Sequence, residues 1–251
     1  MIRRRMRVFS YNIHKGFTVS NRGFVLAEIR RAIRELAPDI LFLQEVVGEH
    51  RGHQRRVQDW PIESQFEYLA EALWPHFAYG RNAVYDEGHH GNAILSKYPI
   101  LNWENEDVST NSLERRGLLH AVVRPYEDCP DLHLICVHFG LFERDRALQA
   151  RRLCSRIRRT VTFGQGVVVA GDFNDWALKL SPLFRHEIGL QEAYYVRHGH
   201  HARTFPAGMP VFRLDRIYFQ GLESRHARVL HREPWRSLSD HAPLLVDFQW
   251  A

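Results

Sequence analysis

The chain has 251 residues, 45% of them hydrophobic and 25% charged, with a formal net charge of +5. That is enough apolar material for a sizeable core, which excludes a disordered chain, and the positive balance permits an anionic substrate. No stretch approaches the ~18 continuous apolar residues of a membrane-spanning helix, and Cys129, Cys136 and Cys154 form no CxxC pair and leave one thiol over, so a soluble, reduced, cytoplasmic protein without structural disulfides is expected.

The N-terminal run MIRRRMRVFSYNI starts basic but has no apolar h-region behind it, unlike a signal peptide. Arg3, Arg4 and Arg5 read as a solvated tail. A first strand is predicted over 7–13. Val25, Ile29, Ile33 and Leu36 then share one helical face, and Pro38 closes that helix before a strand over 39–46. Residues 47–61 read as an irregular stretch carrying Arg51, Arg55 and Arg56. Phe66, Leu69 and Leu73 mark a second helix. Strands over 91–96, 117–123 and 132–138 follow without an intervening helix, so antiparallel pairing is expected there. Over 143–159 the apolar residues follow helical spacing, which places the arginines between them (Arg144, Arg146, Arg151, Arg152, Arg156, Arg158 and Arg159) on a solvated outer face. A strand over 167–170, an irregular stretch over 197–210 and strands over 213–219 and 243–248 complete the chain. Ile40–Leu43 is apolar on both faces and must be covered on both sides. The mixture predicts two packed sheets with helices outside, an α/β sandwich in one domain spanning 1–251, expected to be a monomer.

The predicted strands share a feature: they end in polar residues. The first ends at Asn12, the second at Gln44-Glu45, a later one at His138, and the run Val167–Ala170 at Asp172 and Asn174. Asp215 stands within another strand, and Asp240-His241 precede the last. Such ends can converge on one rim, partly desolvated on a rigid scaffold. The stem Val167–Ala170 runs into Gly171, which lets the backbone turn closely at its end. Extended geometry would then send Asp172 and Asn174 to one side and Phe173 into the core, with Asp175 facing away as a loop or capping residue. Oxygen-rich sets of this kind suit Mg²⁺ or Mn²⁺ rather than zinc. No HExxH, GxGxxG, Walker-type loop or GxSxG occurs. A hydrolase that uses a divalent cation and an activated water fits what remains.

The blocks SYNIHKG, LQEV, GNAILSKYPI, RRGLLHA, VHFGL, GDFND, LDRIYF and SDHAPL stand in the order seen in the endonuclease/exonuclease/phosphatase family, and the chain resembles that family over nearly its whole length. The segment FAYGRNAVYDEGHHGNAILSKYPI resembles in particular an uncharacterised bacterial branch, the YbhP-type proteins. The resemblance implies a DNase I-like fold, a four-layer sandwich of two mixed, mainly antiparallel sheets flanked by helices. It also implies metal-dependent phosphoesterase activity with these roles. Glu45 resembles the principal metal-binding carboxylate, with Asn12 close to the same ion and Asp240 a carboxylate near it. Asp172 resembles the group that orients or deprotonates the attacking water, and Asn174 its neighbour holding the water or a phosphate oxygen. His241 resembles the histidine on the scissile phosphate, and Asp215 the partner that fixes its tautomer. His138 and Arg116 stand where relatives place phosphate-contacting or leaving-group residues.

Taken singly, an Asp-x-Asn after a strand is turn chemistry; the weight comes from all blocks occurring together. His89-His90 and His200-His201 read as surface. His14 and Lys15 fit a pocket wall or a solvated turn, Thr204-Phe205-Pro206 a substrate contact or a packing loop, and Asn92 the end of a β-turn in preference to a substrate contact. Three substrate classes compete: nucleic acid, slightly favoured; a phosphorylated small molecule such as an inositol phosphate; and a phospholipid headgroup, for which Trp60 and Trp74 are candidate apolar contacts. An inactive binding scaffold is the reading from another class, and the filled catalytic positions argue against it.

Overall fold

The computed structural model describes residues 4–71 and 73–250. In chain order the strands are β1 (Arg5–Asn12), β2 (Ile40–His50), β3 (His76–Tyr85), β4 (Gly88–Ser96), β5 (Ile100–Asp107), β6 (Gly117–Val123), β7 (Leu132–His138), β8 (Gly166–Asp172), β9 (Gln191–Glu192), β10 (Asp215–Gln220), β11 (Leu222–Val229) and β12 (Leu244–Trp250). The helices are α1 (Leu26–Leu36), α2 (Arg51–Arg56), α3 (Gln65–Ala70), α4 (Glu143–Thr160), α5 (Leu180–Ile188), α6 (Ala193–His198) and α7 (Trp235–Leu238). Two six-stranded sheets form, in the orders β11-β12-β1-β2-β4-β3 and β5-β6-β7-β8-β10-β9. Among the described residues, parallel pairing is confined to β1 with β2 and β7 with β8; the other pairs are antiparallel.

Strand periodicity explains the layers. Alternate side chains leave opposite faces of a strand. Val8, Phe42, Ile94, Leu134, Val168, Ala170 and Ile217 therefore meet between the sheets. Their neighbours Phe9, Tyr11, Leu41 and Leu43 turn outward against Leu26, Ile29, Leu69 and Trp235 from α1, α3 and α7. On the other side Ile135, Val137, Val167 and Val169 pack under Ala150, Leu153 and Phe184 from α4 and α5. The order is helix, sheet, sheet, helix, as expected.

Several local expectations are corrected. Residues 47–61 are not irregular throughout: bulged pairing with β4 carries β2 to His50, and α2 follows, with the His50 ring accepting from the His53 amide at 3.1 Å. Leu73 lies beyond α3, which Ser64 and Glu67 open with a capping box. Trp74 is core, its indole donating to the Pro38 carbonyl at 2.8 Å, and Trp60 stacks on Phe24 and His53. Arg5 belongs to β1 and Arg4 is bound to Asp128, so neither is a free tail; Arg3 lies outside the described residues. Two arginines of α4 are buried. Arg146 donates to the carbonyls of Gly140 and Leu141, and Arg156 reaches His120, Glu104 and Glu106.

Asp175 also departs from expectation. It is 2% exposed and accepts from Arg216 at 2.8 Å, while its oxygens take the amides of Lys179 and Leu180 before and at the start of α5. Capping is the expected role; the buried ion pair is an addition to it. Removing one partner of such a pair strands the other charge in a low dielectric. Asp175→Ala is therefore expected to lower unfolding free energy by about 3–5 kcal/mol, read by urea denaturation. A loss below about 1 kcal/mol, the range of an exposed pair, would show that Arg216 finds another partner.

Candidate active site

The parallel pairs set the site. β1, β2, β7 and β8 all point their C-terminal ends to one rim, and the antiparallel β10 and β12 start there. In the second sheet a single register row joins His138, Asp172 and Asp215. In the first, Asn12 pairs with Gln44, whose amide is buried between the sheets against Cys136. A bulge between Leu43 and Val46 and a left-handed Glu45 (φ 56°) then swing the carboxylate onto the rim, a departure of the kind found at binding and catalytic sites.

Asn12 is 1% exposed and spans the two sheets, its Nδ2 3.4 Å from both Glu45 Oε1 and Asp172 Oδ2. His14 and Lys15 follow in left-handed conformation. They reach Asp240 and Glu45, each at 3.8 Å, so the turn faces the cleft rather than solvent. Ser239 ties the last strand's entry to this turn by donating to the Asn12 carbonyl at 2.8 Å.

Asp172 lies at the centre. Its Oδ2 is 3.7 Å from His241 Nε2 and 3.6 Å from His138 Nε2, and its Oδ1 accepts the Asn174 amide at 2.9 Å. Asn174 is left-handed (φ 48°), so the two side chains do not converge by strand alternation, contrary to expectation. The turn between them brings Asn174 to the cleft, with its Nδ2 fixed on the Phe139 carbonyl at 2.9 Å. Phe173 is fully buried, as expected. Gly171 remains within β8, where a Cβ would lie 1.9 Å from the Val137 carbonyl oxygen. Close backbone approach, not a turn, requires the glycine there.

His241 Nδ1 and Asp215 Oδ2 are 2.8 Å apart. Burial disfavours the His241 imidazolium, but Asp215 and Asp172 outweigh it and hold the pKa up at about 10. Burial pushes Asp172 up to about 6, with His241 opposing and Asp215 adding to the shift. His138 is held well below the usual imidazole value by burial, helped by Arg116 and His241, so it is neutral at pH 7.

Glu45, Asp240, Arg116, His138, Asp172, Asn174 and His241 all line one cleft of about 470 Å³. Asn12 and Asp215 are buried against it. Glu45 and Asp240 offer carboxylate oxygens, which fit Mg²⁺ or Mn²⁺ better than zinc; Asn12 turns its Nδ2 toward Glu45, its Oδ1 accepting the His14 amide at 3.1 Å. Asp172, Asp215 and His241 also place ligand-type atoms within 4.8 Å of one another, but the Asp215–His241 hydrogen bond already uses that geometry.

Several further residues depart from the places expected for them. His90, expected at the surface, lines the cleft, its Nδ1 buried without a partner. Burial, with Lys15 and Arg116 nearby, lowers it to about 4. Asn92 is no turn end: it is buried in β4 and reaches the Gly117 and Cys136 carbonyls, each at 3.4 Å. Alternation backward from the inward Ile94 through Asn92 to His90 is the signal that points to both. His201 is likewise buried, with His201 Nδ1 and Glu192 Oε2 3.1 Å apart. Phe205 packs on His241 at 4.9 Å, and Thr204 accepts the Asp215 amide at 3.2 Å, so one residue faces the cleft and the other supports it. Arg115, Leu113, Leu141 and Trp176 also line the cleft, as does Glu114, whose carboxylate lies 3.5 Å from Arg116 Nη2.

A family model described as Endonuclease/Exonuclease/phosphatase family matches residues 9–241. The chain is 47% identical over 241 residues to the uncharacterized protein YbhP of Escherichia coli (strain K12), covering 96% of this chain and 95% of that one. Among solved structures, the endonuclease/exonuclease/phosphatase from Bacteroides vulgatus superposes with a TM-score of 0.77 at 19% identity, covering 99% of this chain and all (100%) of that one. D. rerio TDP2 complexed with single strand DNA product gives 0.72 at 20% identity, covering 97% and 98%. These likenesses show the expected DNase I-like fold.

Proposed function

The chain belongs to the endonuclease/exonuclease/phosphatase family, and from that premise we propose that it is a divalent-metal-dependent phosphodiesterase acting on nucleic acid. The observation that carries the reading is the buried line from Asp215 through His241 to Asp172, at 2.8 and 3.7 Å. It sets a positively charged donor beside a carboxylate whose proton affinity burial has raised.

Asp172 is the base. Its Oδ1 is tied to the Asn174 amide, which leaves Oδ2 to orient an attacking water and take its proton. Asn174 Nδ2 is occupied by Phe139, so Oδ1 is free to hold that water or its product. His241 Nε2 donates to a phosphoryl oxygen, and Asp215 keeps the proton on Nδ1 and stabilises the charge. Arg116, whose buried Nε has no partner, and neutral His138 supply further hydrogen bonds to phosphate oxygens. Glu45, Asn12 and Asp240 would hold Mg²⁺ or Mn²⁺, which would supply neutralisation of the charge that develops at the phosphoryl group.

Two features of the wall favour nucleic acid. Lys15, Arg115 and Arg116 put cations along the cleft, and Trp176 and Phe205 put aromatic rings in its wall, the two kinds of group that bind the phosphates and bases of a single strand. D. rerio TDP2, which shares the fold, carries a single-strand DNA product in its complex. A second reading, hydrolysis of a phospholipid headgroup, rests on Leu113 and Leu141, which are 89% and 53% exposed beside the cleft.

A panel of single-stranded DNA, plasmid, RNA, inositol phosphates, phospholipid vesicles and chromogenic mono- and diesters in Mg²⁺ decides between them. Turnover of oligonucleotides is expected to dominate; turnover confined to vesicles would favour the second reading. Arg115→Ala and Arg116→Ala are each expected to raise KM for an oligonucleotide and to flatten its log–log salt slope by about 0.7–0.9 for each phosphate no longer neutralised. Arg151→Ala and Arg152→Ala, on the exposed face of α4, are expected to change neither. The opposite pattern would place the binding face on the other side of the domain.

A further inference from the structure

A second cavity, of about 1080 Å³, opens between α5, α6 and the β9–β10 edge of the second sheet. It shares no lining residue with the cleft. Leu178, Pro182, Leu190 and Val196 give it apolar walls, and Ser181, His201 and Glu192 meet at its floor. A sizeable apolar cavity with a few convergent polar groups is the usual form of a small-molecule site.

The polar groups are ordered, and their proton directions follow from elementary bookkeeping. Arg216 can only donate, and its Nη1 lies 2.9 Å from the Tyr218 hydroxyl. Tyr218 therefore turns its own proton to Ser181 Oγ, 2.7 Å away. Burial pushes the Tyr218 phenol up, so that proton is retained. Ser181 must then send its hydroxyl proton on to His201 Nε2 at 3.2 Å. His201 carries its remaining proton on Nδ1 and donates it to Glu192 Oε2 at 3.1 Å. Glu192 is itself fixed, accepting the Tyr194 and Tyr195 amides at 3.1 and 2.7 Å as the N-cap of α6. Capping accounts for Glu192. It does not account for a histidine 8% exposed that joins that carboxylate to a half-buried serine on a cavity wall.

Nucleophile to base to orienting carboxylate, each within hydrogen-bond reach, is the arrangement that activates a serine. Ser181 is also the second residue of the nine-residue α5, so the positive end of that helix lies beside its Oγ. We propose that Ser181, His201 and Glu192 form a second hydrolytic site, independent of metal, for small carboxylic esters with an apolar acyl group. Ser181 Oγ bonds to the acyl carbon and the ester C–O bond breaks. The serine proton passes to His201 Nε2 and on to the departing alkoxide. Water then attacks the acyl-serine, gives a proton to His201 and releases the carboxylic acid, and His201 returns a proton to Ser181.

The test uses the full chain in EDTA, treated with an alkyl fluorophosphonate and read by intact mass and peptide mapping, beside turnover of p-nitrophenyl butyrate. One adduct is expected, on Ser181, and none on Ser181→Ala folded by circular dichroism. Ester turnover is expected to fall at least about 10²-fold in Ser181→Ala, the low end for removal of a general acid–base partnership. Glu192→Gln, which keeps an oxygen for the α6 cap, should slow labelling. No adduct on the wild-type chain, an adduct on another residue, or ester turnover retained in Ser181→Ala would overturn the proposal and leave the network a purely structural tie.

Discussion

Asp172→Asn is expected to lower phosphodiester turnover by about 10²–10⁴, the range that a positioned general base supplies. The substitution is nearly isosteric. One oxygen can still accept the Asn174 amide, which Asp172 Oδ1 takes at 2.9 Å, so the turn that presents Asn174 survives. What disappears is the basic oxygen, Oδ2, between His138 and His241. Because Asp172 is buried and its ionised form is disfavoured there, the neutral amide should not destabilise the fold. Unchanged or raised thermal stability together with lost turnover is therefore the expected signature. A folded variant that retains more than about a tenth of wild-type kcat would remove Asp172 from the base role.

His241→Ala is expected to cost about 10²–10³ in kcat, the loss typical of one donor to transition-state charge. Asp215→Asn tests the same donor through its pH dependence. In the wild type Asp215 is the main group raising His241, to about 10, against the effect of burial. The protonated imidazole is therefore present at neutral pH and is lost only as pH rises through about 10. With the carboxylate gone, the imidazole should deprotonate at lower pH, so the alkaline limb of the kcat profile should move down. An alkaline limb that stays in place would mean that His241 is not the donor.

How far the sequence can be read follows from burial. The eight strands expected from it, β1, β2, β4, β6, β7, β8, β10 and β12, are all interior to their sheets. The four that it does not announce, β3, β5, β9 and β11, are the edges. An interior strand is covered on both faces and must be apolar; β8 is buried at every residue. An edge strand is not, and β5 (ILNWENED) is largely exposed and polar. Helical spacing locates α4, but it cannot show that two of its arginines turn inward, Arg146 to carbonyls of the loop just before the helix and Arg156 to carboxylates of the distant β5.

The candidate site is legible for a related reason. A carboxylate, amide or imidazole at the end of an apolar run is conspicuous, and parallel pairing gathers several such ends on one rim. Asn12, Glu45, His138 and Asp172 stand out in that way. Residues that enter from turns do not. Trp176, Arg115 and Leu141 reach the cleft only because of how the chain returns, and nothing local to them announces it. The conformations of Glu45 and Asn174 are likewise hidden, because a left-handed non-glycine residue is fixed by the surrounding ladder rather than by its own propensity.

Metal rescue of turnover tests the central claim most directly. The chain, stripped with EDTA and dialysed, is assayed on bis-p-nitrophenyl phosphate and on a single-stranded oligonucleotide, with Mg²⁺, Mn²⁺ or no added cation. The same series is run on Glu45→Gln. An oxygen-ligand site built from Glu45, Asn12 and Asp240 predicts no turnover in the stripped wild type. It predicts recovery on addition of either cation, and a requirement for much higher Mg²⁺ in Glu45→Gln. Full turnover in the metal-free protein would contradict the account, and so would an absence of turnover on every phosphate ester with both cations present, which would leave the chain as a binding scaffold.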